Sequence, residues 1–279
     1  MSSEVMNLLI EGFDSSKLKS ENEHYEEAWK EIIGAYQNKK VIQADVVAIE
    51  DLETADGKKQ TCAVVQMDRV RGYIPIDEFG VQTKKQLRSF AGKPVGFVVL
   101  KYDRENDIFI ASRKQGLEIM SEIWLKRHKE GDVVVAVARS VSPSLVRADI
   151  GGIEVKIPIE DIRYGWIDDL EEEVKVGDHF YVKVLEINRE EKTVKVSAKA
   201  TQKNPFPECL KRYKKGSEHT GVVSGVTEYG VFVNLEPGVD SLARHLRHEN
   251  VKKGDRVLVR IVDTDPKEEH IMTKITRIS

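Results

Sequence analysis

The chain has 279 residues, 33% of them charged and 7% aromatic, and 44 Lys and Arg against 47 Asp and Glu leave a net charge of −3. That length suits two or three domains, and so few aromatic residues suit several small cores better than one large core. The balance excludes a protein that coats nucleic acid by bulk charge, the separated Cys62 and Cys209 exclude a disulfide framework, and no apolar run nears the roughly 20 residues that span a bilayer. Reduced thiols and a polar N-terminus without a signal-peptide core predict a cytoplasmic protein.

Residues 1–20 show no periodicity beyond VMNLLIEGF, which leaves either no ordered structure or a short binding peptide. From Glu21 to Lys39 the residues Tyr25, Ala28, Trp29, Ile32, Ile33 and Tyr36 recur at helical spacing, and Ser20 with Glu23 forms a capping-box pattern. This predicts an amphipathic helix, in a leading segment 1–37, whose apolar face packs on the strands next in the chain; docking on a partner protein is the alternative. Residues 38–116 then read as a strand-rich segment, VIQADVVAIE through TCAVVQMDRVRGYIPIDEF to GKPVGFVVLKYDRENDIFIASRK. On its second strand the outward positions are Cys62, Val64 and Gln66, none of them aromatic. Leu117, Met120, Ile123 and Trp124 mark a linker helix over 117–129.

Residues 130–200 repeat the same order of strands, with Gly131 and Gly177-Asp178 at equivalent places, and Val146, Ala148 and Ile150 at core positions. An acidic run, Asp168, Asp169, Glu171, Glu172 and Glu173, falls in the loop between its third and fourth strands, where it would also repel a polyanion. A linker over 201–215, TQKNPFPECLKRYKKG without its final glycine, carries Phe206, expected to plug a seam, and a basic cluster of Lys211, Arg212, Lys214 and Lys215. That cluster either extends a binding groove or is a solvated face.

The last segment, 216–279, is the most informative. In GVVSGVTEYGVFVNL, alternation puts Val231, Val233 and Leu235 inward and therefore turns Phe232 and Asn234 outward. Tyr229 precedes it at a turn marked by Gly230. Phe232 is then either a platform that stacks on unpaired bases together with Tyr229, or a ring covered by a neighbouring domain. At the equivalent positions the middle copy has Arg147 and Ser144. Charge separates the copies as well: residues 38–116 carry 14 basic and 11 acidic side chains, 130–201 carry 10 and 15, and 203–279 carry 14 and 11. The acidic middle copy is the poorest phosphate binder.

The run Gly221, Tyr229, Gly230, Phe232, Val233, then Val239, Asp240 and Leu242, then Gly254-Asp255 before VLVRIVDTD resembles the S1 RNA-binding domain, a five-stranded OB-fold barrel. The whole chain is similar to a shortened bacterial ribosomal protein S1. RGYIPIDEF in the first copy resembles the Gly-Phe-Ile-Pro motif of that family, and the linker resembles its Asn-Pro-Trp linker with Phe206 in place of tryptophan. The resemblance implies a mostly β protein of three tandem OB-fold barrels with an N-terminal helix and short helical linkers. It also implies an RNA site of Tyr229, Phe232, Arg244 in place of the family's histidine, the adjacent His245, and Asp265 and His270 beyond strand four. Ser241 stands where the family has glycine. Lys211, Lys214 and Lys215 would add charge.

No Walker-type loop, Gly-x-Ser-x-Gly elbow or His-Glu-x-x-His helix is present, and His245 and His248 lack a third ligand at suitable spacing. No reaction, cofactor or metal is expected. The expected function is binding of single-stranded RNA, mRNA foremost, in translation or RNA turnover, by a monomer. The alternative is an adaptor whose first two barrels dock on a ribosome, polymerase or nuclease; single-stranded DNA would use the same surface.

Overall fold

The computed structural model describes residues 21–53, 59–246 and 250–278. The expectations for residues 1–20, the Ser20 cap and His248 lie outside them. The chain divides into two compact units, Met1–Glu122 and Ile123–Ser279.

In the first unit, helix α1 (Glu21–Asn38) precedes strands β1 (Ile42–Glu53), β2 (Lys59–Met67) and β3 (Val70–Pro75), short helices α2 (Ile76–Phe79) and α3 (Lys84–Arg88), and strands β4 (Pro94–Asp103) and β5 (Ile108–Ser112). The sheet closes in the order β1-β2-β3-β5-β4, with β3 and β5 parallel. The helical stripe read from the sequence does pack on this barrel: Trp29, Ile32 and Ala35 share one core with Val46, Val65, Phe97 and Phe109. The Tyr25 hydroxyl (2.5 Å) and Trp29 Nε1 (3.3 Å) both donate to Asp107 Oδ1, which ties the helix to the β4–β5 turn. Gly72 in the RGYIP motif is a packing requirement, since a Cβ there would lie 2.1 Å from Phe109 Cζ. Cys62 and Val64 alternate with the core residues Ala63 and Val65, as expected, yet they are buried, because α2 lies against β2. Outward is therefore not exposed at these two positions, whereas Gln66 is exposed.

Helix α4 (Arg113–Arg127) starts four residues before Leu117, where the apolar spacing placed it, because the buried Ser112 Oγ accepts from Gln115 N–H (3.1 Å) and caps it. In the second unit its end supplies Trp124 and Leu125 to the core of the middle copy. That copy comprises β6 (Val133–Ser142), β7 (Leu145–Asp149), β8 (Glu154–Pro158), α5 (Leu170–Glu173), β9 (His179–Asn188) and β10 (Thr193–Ser197). Its strand order, β10-β9-β6-β7-β8, is that of the first barrel without the closing parallel pair. Val146, Ala148 and Ile150 are buried, and Arg147 points outward to Glu154 at 3.3 Å.

The last copy comprises α6 (Phe206–Cys209), β11 (Glu218–Thr227), β12 (Gly230–Glu236), β13 (Val239–Ala243), β14 (Arg256–Asp265) and β15 (His270–Ile278). It is again closed, in the order β11-β12-β13-β15-β14, with β13 parallel to β15. Phe206, Cys209 and Tyr213 of the linker pack with Val239, Ile261 and Ile271, so the linker aromatic fills a seam as expected. The fold is thus mostly β, with an N-terminal helix and three five-stranded sheets, two of them closed barrels.

Candidate nucleic-acid interface

The alternation that flags β12 holds in three dimensions. Val231 and Val233 lie in the barrel core, while Phe232 faces outward, opposite Gly225 on β11 and Leu242 on β13. The β11–β12 turn sets Tyr229, 65% exposed, edge-on to Phe232 with ring centroids 5.9 Å apart at 89°. The two rings border a cavity of about 470 Å³ that Leu242, Met272 and His270 continue. Its remaining wall is acidic, with Asp240, Asp263, Asp265 and Glu268. Such a slot favours a flat apolar base edged with amino groups over a phosphate.

The nine residues expected to form the site separate into groups. Tyr229, Phe232, Asp265 and His270 line the one cavity. Lys215 reaches its rim, 3.8 Å from Asp263 Oδ1. Asp265 has a structural task as well: its Oδ1 accepts from the N–H groups of Glu268 (3.2 Å) and Lys267 (2.9 Å) in the β14–β15 turn, and these bonds hold its carboxyl below the ordinary aspartate range. Arg244, exposed just past the end of β13, is not a lining residue, and neither is His245. His245 Nε2 lies 2.7 Å from the Thr227 carbonyl; a carbonyl only accepts, so this nitrogen carries the proton and the ring braces the turn that bears Tyr229. Lys211 and Lys214 are exposed and also stand outside the lining, while Arg212 of the same cluster pairs with Glu236.

Trp166, which the sequence did not single out, changes the picture of Phe232. It comes from the loop between β8 and β9 of the middle copy and stacks on Phe232 with centroids 3.8 Å apart and planes 8° from parallel. A neighbouring copy therefore covers one side of the ring, as the second reading of Phe232 had it, and the cavity borders it elsewhere. Gly225 makes the stack possible, because a Cβ at that position would lie 2.4 Å from Trp166 Nε1. Asp240 fixes the loop, its Oδ2 accepting from Trp166 N–H and its Oδ1 from Ser224 Oγ, each at 2.7 Å. The acidic run has a partner in the chain too: Lys253 Nζ lies 2.9 Å from Glu172 and 3.1 Å from Asp168, and both carboxylates raise its pKa. A glycine-flanked tryptophan outside any helical or strand period, in RYGWIDD, was the available signal.

Residues 127–199 match the family model described as S1 RNA binding domain. The chain carries an S1 domain. The matched S1 segment is the middle copy, and the copy with the two rings comes after it. Small ribosomal subunit protein bS1 of Pseudomonas aeruginosa is 26% identical over 282 residues, covering 96% of this chain and 49% of that protein. The bS1 of Neisseria meningitidis is 25% identical over 269 residues, covering 91% and 46%. A similar match, 24% over 269 residues and covering 91% and 40%, is to a Clostridium acetobutylicum protein named 4-hydroxy-3-methylbut-2-enyl diphosphate reductase. The chain spans about half the length, or less, of these curated relatives.

Proposed function

We propose that this chain binds single-stranded RNA, mRNA foremost, in translation, and that its last copy makes the main contact. The observation that carries this is the outward ring pair Tyr229–Phe232 beside an open cavity, in a chain with an S1 RNA binding domain. Stacking on such rings contributes about 1–3 kcal/mol per base and tolerates any base. The acidic cavity wall supports base contact in the cavity and phosphate contact on the basic side chains around it, Lys215 at the rim first. Similarity to bS1 supports the ribosome as the machine served and the cytoplasm as the location. In this reading the chain is a monomeric binding module with no reaction and no cofactor of its own, and single-stranded DNA competes for the same surface. The test is fluorescence anisotropy of a labelled single-stranded RNA with the intact chain and with Phe232→Ala at two salt concentrations. Binding that weakens with salt and falls about 5- to 150-fold on the substitution supports the reading; equal binding by both proteins refutes it.

A second reading, a protein adaptor, has its own observation. On the outer face of the middle sheet Val135 pairs directly with Tyr181, and with Val133 these side chains are 49%, 66% and 56% exposed. Exposed apolar groups of this kind on an acidic domain suit a protein contact. Co-sedimentation with ribosomes that Val135→Glu abolishes and Phe232→Ala spares would favour the adaptor.

A further inference from the structure

We infer that Trp166 occupies in cis the slot on Phe232 that a nucleic-acid base would take, so that RNA reaches that face only when the loop bearing Trp166 withdraws. The inference rests on the RNA-binding reading and adds its regulation.

The geometry is that of a bound base. A flat bicyclic ring lies parallel to Phe232 at 3.8 Å, over the shelf left by Gly225 on the outer face of the barrel. The fit is in the ring and not in its polar edge: Trp166 Nε1 is buried and makes no hydrogen bond among the described residues. A tryptophan placed for stability alone would normally have its N–H on an acceptor. Ile167 and Leu170 anchor the loop in the middle core, and what ties it to the last copy is releasable. Lys253 grips Asp168 and Glu172 through side chains that are 48%, 36% and 67% exposed, and ion pairs of that kind are weak and fade with salt. The firmest contact is the Asp240 carboxylate on Trp166 N–H. A site competent only while Trp166 is away shows an affinity lowered by the fraction of time it is open.

Two variants test the slot from opposite sides. Trp166→Ala removes the occupant and leaves the shelf. Gly225→Ala fills the shelf, placing a Cβ 2.4 Å from Nε1 and 2.9 Å from Cδ1 where a base in the same slot would meet it too, and Gly225 has a backbone conformation that alanine adopts freely. The full chain and both variants are titrated into a labelled single-stranded RNA, with Phe232→Ala alongside, and the Trp166 indole N–H is followed by NMR in the unsubstituted protein as RNA is added. The inference predicts binding at least threefold tighter for Trp166→Ala, no such gain for Gly225→Ala, and an indole resonance that moves to a solvent-exposed position at saturation. Equal or weaker binding by Trp166→Ala, or an indole resonance unmoved at saturating RNA, overturns it; weaker binding would make Trp166 part of the platform instead. If Phe232→Ala loses affinity while Trp166→Ala gains none, cis occupation fails and the RNA-binding reading stands. If Phe232→Ala binds like the unsubstituted chain, the RNA-binding reading fails and the inference with it.

Discussion

Replacing Asp240 by alanine removes the carboxylate that joins the middle and last copies. Two charge-assisted hydrogen bonds are lost, from Trp166 N–H and Ser224 Oγ, each at 2.7 Å. Bonds to ionised acceptors contribute about 1.5–3 kcal/mol each, and Asp240 is half-buried, so the lower end applies and the two together come to about 3 kcal/mol. Asparagine has nearly the same shape. Its carbonyl still accepts from Trp166 N–H, and the Ser224 hydroxyl rotates to accept from its amide, so Asp240→Asn retains more than half of the stabilisation. Urea unfolding followed by near-ultraviolet circular dichroism reads both. With a slope of about 2–3 kcal/mol per molar for a domain pair of this size, Asp240→Ala shifts the transition of the second unit by about 1 M. Combining it with Ser224→Ala in a double-mutant cycle isolates the 224–240 term. An Asp240→Ala protein that unfolds at the unsubstituted midpoint would show that this carboxylate does not hold the seam.

Gly72→Ala forces a methyl group into Phe109 and lowers the stability of the first unit by about 1–3 kcal/mol, measurable by thermal denaturation. Trp29→Ala empties a fully buried site shared by α1 and the barrel and costs about 3–5 kcal/mol in the same assay; unchanged stability would mean that α1 is not part of that core. Burial pushes the thiols of Cys62 and Cys209 up. Both therefore resist a thiol reagent in the native protein and react once it is unfolded. The stabilisation from keeping these thiols neutral is full below the unfolded value of about 8.5 and is lost as pH rises through the higher folded values, so the denaturation midpoint falls in alkali.

Period and turn chemistry were enough to place β12, because the inward direction of Val231 and Val233 fixes that of Phe232 whatever surrounds the barrel. They were enough for α1 too, whose apolar stripe has one barrel beside it to pack on. Alternation tells which face a side chain is on, but not what lies over that face. Cys62 and Val64 were legible as outward and not as covered by α2. Phe232 was legible as outward, but Trp166, its cover, comes from a loop without a period and far away in sequence. Asp240 was legible as a motif position but not as the anchor of that loop, and Gly225 escaped for the same reason, since each acts on the loop. Asp265 lines the cavity and His245 stands outside its lining, and the visible partners of both are backbone groups of turns, which no side-chain pattern reveals.

The central claim is that RNA meets the last copy, although the S1 family match falls on the middle one. Photo-crosslinking of a 4-thiouridine-labelled single-stranded RNA to the intact chain, with the crosslinked peptides identified by mass spectrometry, tests it most directly. The account predicts crosslinks concentrated at Tyr229 and Phe232 and along β15 near His270 and Met272. Crosslinks confined to β6–β10 of the middle copy, with none on β12, would contradict it.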